Sequence, residues 1–189
     1  LCDRRQRQMC IRDSGRLEQA EWALKMLLSH NEIEAKELAE KLNDLNKERQ
    51  ELTKEGLEKA IEIIEKNNMT KDKVLVVYLE DVHESIAGII AGRVREKYNL
   101  PTIILTKAHD GAKGSGRSIE EYNMFEELLK CKDLLGKFGG HPMAAGMSIP
   151  NENIDEFRSR LNNVTTLTDE DIIPKVSIDM GLLLSLIHI

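Results

Sequence analysis

The sequence predicts an α/β fold: a long connecting helix followed by a mixed-sheet α/β domain that contains a βαβ unit. Three observations carry this. Residues 74–79 (VLVVYL) and 102–106 (TIILT) are apolar without alternation, the pattern of strands buried on both faces. Between them, residues 83–98 place Ile86, Ile89, Ile90 and Val94 at helical spacing. Strand, helix and strand within about 33 residues give parallel strands joined by a right-handed crossover.

The remaining elements follow in order. Residues 15–29 carry Leu17, Ala20, Leu24, Leu27 and Leu28 on one helical face. Residues 31–67 continue as one long helix, with Leu38, Leu42, Leu45 and Leu52 followed by Ala60, Ile61 and Ile64, and with a soft point expected at Gly56. Its 11 acidic and 7 basic residues form many pairs three or four apart, the character of a spacer or lever between domains rather than a self-associating coiled coil. In the crossover helix, Gly88, Ala91 and Gly92 are small where something packs closely, and the sequence NLP at 99–101 ends it. An extended, glycine-broken segment follows at 112–118, then a helix over 124–131 and a short amphipathic turn with Leu134, Leu135 and Phe138. A strand over 144–149, a closing helix over 151–161, a polar linker over 165–174 and the start of a further strand at 175–179 complete the chain.

Composition narrows the function. The chain of 189 residues is 41% hydrophobic and 32% charged, with no apolar run near the ~20 residues of a membrane-spanning helix. Cys131 is the single thiol of the body, so neither a disulfide framework nor a cysteine metal cluster is expected, and a reducing cytoplasm is the expected compartment. The first fourteen residues hold Arg4, Arg5, Arg7 and Arg12 against Asp3 and Asp13, so the net charge of −6 is −8 without them. An acidic body is not a general nucleic-acid coat, and any phosphate recognition must be local. Residues 1–14 and 184–189 lack the periodicity of their neighbours and read as adapter-derived sequence, which leaves a fragment of a longer reading frame.

Two glycine-rich stretches read as turns able to hold a phosphate. In KGSGRS at 113–118, Gly114 and Gly116 would let backbone N–H groups approach an anion, and Ser115, Ser118 and Arg117 supply hydroxyls and a guanidinium fork. A flexible hairpin with a β-bulge is the plainer reading of the same residues. In FGGHPMAAG at 138–146, Gly139 and Gly140 present His141, while Ala144, Ala145 and Gly146 leave room for a ligand or a neighbouring backbone. His83 opens the crossover helix, where it either favours an anion or simply caps the helix. His30 and His109 are expected on the surface and Cys131 in the core. No HExxH, CxxC or Ser-His-Asp pattern is present, so the legible chemistry is recognition, with no metal ligand in the chain.

The order of HESIAGIIAGR at 83–93, GSGRS at 114–118 and FGGHPMAAGMS at 138–148 resembles the DHH-associated domain of the Asp-His-His phosphoesterase superfamily. Within it, the likeness is to the single-stranded-DNA-specific 5′-to-3′ exonucleases of DNA repair and recombination, and it covers residues 15 to about 180. The resemblance implies that residues 15–30 end a catalytic domain, 31–67 connect, 68–164 bind substrate, and 165–183 lead into an oligonucleotide-binding barrel. It implies a metal-dependent enzyme that releases mononucleotides, with Mn²⁺ or Mg²⁺ held by a catalytic domain outside this fragment, which alone would bind and not cut. Ser115 and Arg117 would contact the 5′-terminal phosphate of single-stranded DNA and Arg16 would join them. Gly140 and His141 would contact the backbone near the scissile phosphate, with His141 as an assisting residue. A monomer without membrane attachment is expected. Glu84 and Ser85 stand where the family commonly has Pro-Gly, and a carboxylate there would repel phosphate unless it points away. The rival readings are a related oligoribonuclease or cyclic-dinucleotide phosphodiesterase, a non-catalytic nucleic-acid-binding module, and a coiled-coil interaction protein.

Overall fold

Two uninterrupted apolar runs and three glycine-containing segments build one five-stranded sheet, seen in a computed structural model that describes residues 21–175. Helices α1 (Glu21–Leu28) and α2 (Glu32–Lys66) precede it. Then come β1 (Leu75–Leu79), α3 (Glu84–Tyr98), β2 (Thr102–Ala108), β3 (Gly111–Arg117), α4 (Met124–Leu129), β4 (Phe138–His141), β5 (Ala144–Ile149) and α5 (Ile154–Val164). The sheet order is β1-β2-β3-β5-β4. The β1/β2 pair is parallel across the α3 crossover, as the apolar runs predict, and the other pairs are antiparallel.

Each face of the sheet has its own core. On one face, Leu75, Val77, Leu79 and Ile104 pack under α3 through Ile86, Ile90 and Val94, and under the second half of α2 through Ala60 and Ile64. On the other, Val76, Ile103, Leu105, Met147 and Ile149 pack against α4 and α5 through Met124, Leu128, Phe157 and Leu161. Cys131 is buried there, and burial raises its thiol pKa. Asn162 on α5 ties the two layers to the entry of β1: its amide accepts from the N–H of Lys73 (2.8 Å) and of Val74 (3.0 Å) and donates to the Val74 carbonyl (3.0 Å).

Two expectations are corrected by packing. Gly56 is not a soft point: α2 runs through it unbroken, and a Cβ there would lie 2.6 Å from Ile90 Cδ1. The glycine lets two helices approach closely, so the second half of α2 is core rather than free spacer. The stretch 113–118 is not a turn but most of β3, the central strand, bonded to β2 on one side and β5 on the other. Its backbone N–H groups serve the ladder instead of a ligand. The expected strand at 175–179 lies outside the described residues apart from Lys175.

Candidate functional site

Because β3 is a strand, its side chains alternate between faces. Ala112, Gly114 and Gly116 face the α4/α5 core, where a Cβ on Gly114 would meet Leu105 Cδ2 and Met147 Cγ at 2.7 Å and one on Gly116 would meet Met124 at 3.2 Å. These glycines make room for methionines. Lys113, Ser115 and Arg117 face α3. There a Cβ on Gly88 would lie 2.6 Å from Arg117 Nη2 and 3.0 Å from Ser115 Oγ, so the guanidinium and hydroxyl rest against bare helix backbone. Arg117 Nη1 donates to the Gly116 carbonyl at 2.7 Å.

The ladder carries this face outward. Arg117 pairs with Ala144, and Ala144 with His141; Ser115 pairs with Gly146, and Gly146 with Gly139. Directly opposed residues share a face, so Arg117 and His141 stand in one cross-strand row, two strand spacings or about 10 Å apart at their Cα atoms. Between the two rows of side chains the floor is Ala144, Gly139 and Gly146. A Cβ on Gly139 would meet nothing within 4 Å, and one on Gly146 only a carbonyl at 3.9 Å. Packing therefore does not require these two glycines, and their lack of side chains leaves an open shelf.

Local bonds aim His141. Pro142 and Met143 form the two-residue connection between β4 and β5, and the Met143 N–H donates to His141 Nδ1 at 3.3 Å. With Nδ1 accepting, the neutral ring carries its proton on Nε2, which points a donor away from the turn. The turn is tied to the end of β3: Ser118 N–H donates to the Met143 carbonyl and Met124 N–H to the Pro142 carbonyl, both at 2.9 Å.

Not every residue of the two motifs reaches the shelf. Ser118 is 1% exposed and its hydroxyl donates to the Tyr122 carbonyl at 2.5 Å, so it fastens the turn and offers no hydroxyl to a ligand. Burial, with Glu127 and Cys131 nearby, pushes the Tyr122 phenol above its ordinary range and keeps it neutral. Gly116 and Ala145 are buried on the opposite face. Gly140 is held by close backbone, since a Cβ there would lie 2.4 Å from the Ala144 carbonyl oxygen. His83 is the N-cap of α3: its Nδ1 accepts from Ser85 N–H at 3.3 Å and lies 2.7 Å from Ser85 Oγ. Arg16 lies outside the described residues.

Two contributors were not assigned a role from the sequence. Gly88 seats the guanidinium, and only its small size signalled a close neighbour. Lys113 extends the row of β3 side chains and pairs with Glu84 at 2.6 Å, so the carboxylate at the start of α3 is neutralised rather than aimed freely at the shelf. Among the described residues no group of three or more His, Cys, Asp or Glu side chains converges as a metal site, and no helix is long and apolar enough to cross a membrane.

Comparison with known proteins adds context for this geometry. The family described as DHHA1 domain matches residues 71–166. The chain is 41% identical over 170 residues to the single-stranded-DNA-specific exonuclease RecJ of Bacillus subtilis, covering 88% of this chain and 22% of that protein. It is 34% identical over 161 residues to the protein of the same name from Escherichia coli, covering 81% and 28%. A solved structure of exonuclease RecJ bound to manganese matches with a TM-score of 0.75 and 28% identity, covering 86% of this chain and 40% of that one. RecJ of Thermus thermophilus in complex with Mg²⁺ matches with a TM-score of 0.72 and 30% identity, covering 82% and 24%. The chain thus spans about a quarter of the length of these curated relatives.

Proposed function

The chain belongs to the DHHA1 domain family, and from that premise we propose that it is the part of a RecJ-like exonuclease that holds the 5′ end of single-stranded DNA. One observation carries the reading: Arg117 and His141 share a face and a row, over a shelf that carries only the Ala144 methyl beside the bare Gly139 and Gly146.

The chemistry follows from that arrangement. A terminal phosphate carries more negative charge than an internal one, and a guanidinium binds its oxygens through a planar fork. Arg117, with the Ser115 hydroxyl beside it, takes this terminal group. The strand then crosses the Ala144 methyl and the bare Gly139 and Gly146, and His141 donates from Nε2 to the next phosphate. The shelf is blind at one end. Beyond β3 the same face is covered by α3, whose Gly88 abuts Arg117, so a strand leaves over β4 but cannot continue over β2. A binding path closed at one end selects termini over internal segments.

Hydrolysis in such an enzyme would draw on Mg²⁺ or Mn²⁺, which activates water and steadies the leaving oxygen. We assign the metal to the part of the relatives that this chain does not span, and the chain's own share is binding and orientation. His141, facing the phosphate that follows the terminal one, assists by orientation. The setting is a cytoplasmic monomer acting in DNA repair and recombination.

Arg117→Ala tests the reading. Hydrogen bonds to charged groups contribute about 1.5–3 kcal/mol, so the variant should lose roughly 10- to 150-fold in affinity for a 5′-phosphorylated oligothymidylate. Its affinity for the same strand ending in a 5′-hydroxyl should hardly change. Equal binding of the two strands by the unmutated chain, measured by fluorescence anisotropy, refutes the end pocket.

A further inference from the structure

Glu84 stands in the first turn of α3, the helix against which Arg117 and Ser115 rest. Glu84 and Gly88 are four apart on one helix face, which sets their Cβ positions about 6 Å apart. A Cβ at Gly88 would nearly touch both Arg117 Nη2 and Ser115 Oγ. Lys113 precedes Ser115 by two residues on the same face of β3, about 7 Å along the strand. The ion pair of Glu84 with Lys113, at 2.6 Å, therefore stands one helical turn and one side-chain step from the seat of the terminal phosphate. Both partners are about half exposed, so the pair can exchange with solvent ions and with a ligand.

We propose that Glu84 sets how tightly this site retains a terminal phosphate, by holding Lys113 in an ion pair and by opposing a second negative charge beside Arg117. The inference rests on the reading of Arg117 as the terminal-phosphate residue. Its chemical sense is release. A mononucleotide freed by cleavage at the end of a strand keeps the 5′-phosphate that anchored it, so a site in which Lys113 bound that phosphate as well as Arg117 would retain its product. With Glu84 in place, Lys113 is already compensated and the site holds the terminal group through Arg117 and Ser115. When a phosphate does draw Lys113 away, it does so against the attraction of the carboxylate.

The test compares the unmutated chain with Glu84→Gln, Lys113→Gln, the double variant and Asp44→Asn. The last makes the same change of net charge far out on α2, where Asp44 pairs with Lys47. The probes are an oligothymidylate carrying a 5′-phosphate and the same strand ending in a 5′-hydroxyl, at low and at moderate salt. Unit charges about 7 Å apart near a surface predict that Glu84→Gln raises affinity for the phosphorylated strand roughly three- to tenfold. The gain should shrink with salt, vanish for the hydroxyl-ended strand, and be smaller when Lys113→Gln is added, since only the direct repulsion by the carboxylate is then left to remove. Asp44→Asn should leave both affinities in place. Melting temperature and circular dichroism verify that each variant is folded, and all of these positions are exposed side chains. If the unmutated chain favours the phosphorylated strand and Glu84→Gln changes nothing, or shifts both strands equally, this inference alone is overturned. If the unmutated chain does not distinguish the strands, the reading of Arg117 and this inference fail together.

Discussion

Replacing Gly88 by alanine separates the stability of α3 from the recognition it supports. The added Cβ would lie 2.6 Å from Arg117 Nη2, 3.3 Å from Arg117 Cζ and 3.0 Å from Ser115 Oγ. An ordinary contact begins near 3.4 Å, so the guanidinium would have to retreat by about 0.8 Å. The end of an arginine can do this at little cost to the fold. Inside a helix, meanwhile, alanine is favoured over glycine by about 1 kcal/mol. The variant should therefore melt at the same temperature or about 2–4 °C higher, the shift that 1 kcal/mol produces in a chain of this size. Binding should move the other way. A charged, fork-shaped hydrogen bond is sensitive to displacement on this scale, and losing about 1–2 kcal/mol of it corresponds to roughly 5- to 30-fold weaker binding of a 5′-phosphorylated strand. Thermal unfolding and fluorescence anisotropy with paired phosphorylated and hydroxyl-ended strands measure both quantities. A variant that keeps its preference for the phosphorylated end would show that the seat of Arg117 on Gly88 is not what reads the terminus. A variant that loses several degrees of melting temperature would show that the close contact is structural instead.

Gly146→Val places a side chain where only the Gly114 carbonyl oxygen stands within 4 Å, so the fold should accept it while the shelf fills. Strand binding should fall by about tenfold or more, some 1.4 kcal/mol, with an unchanged circular dichroism spectrum; undiminished affinity would mean that DNA does not cross this surface. Asn162→Ala removes the amide that satisfies the Lys73 and Val74 N–H groups and the Val74 carbonyl. It should lower stability by about 2–3 kcal/mol in urea unfolding without altering the 5′-phosphate preference, because α5 packs on the far face of the sheet; a selective loss of binding would contradict that separation.

Much of the architecture was legible because it is written in local periodicity. The uninterrupted apolar runs that became β1 and β2 and the helical spacing of Ile86, Ile90 and Val94 specify a βαβ unit without reference to anything distant. The α2 helix was legible for the same reason, but Gly56 was misread, since its role depends on Ile90, 34 positions away in the chain. The glycines of β3 show the same limit. In sequence they look like freedom for a phosphate-binding turn, whereas Gly114 and Gly116 are small because Met147 and Met124 fill the space above them.

By itself, the sequence determined the helices and the strands β1, β2 and β5, and which residue types could meet a phosphate, whereas Phe138–His141, read as part of a turn, is strand β4. Only the tertiary structure decided which of those residues meet. Arg117 and His141 share a row because β5 lies between their strands, and Ser118 leaves the site because its hydroxyl is spent on the Tyr122 carbonyl. Glu84 faces Lys113 because the crossover helix lies back over the sheet. Periodicity is a property of neighbours along the chain, but the face a strand residue occupies, and what stands opposite it, are set by register with strands that are remote in sequence.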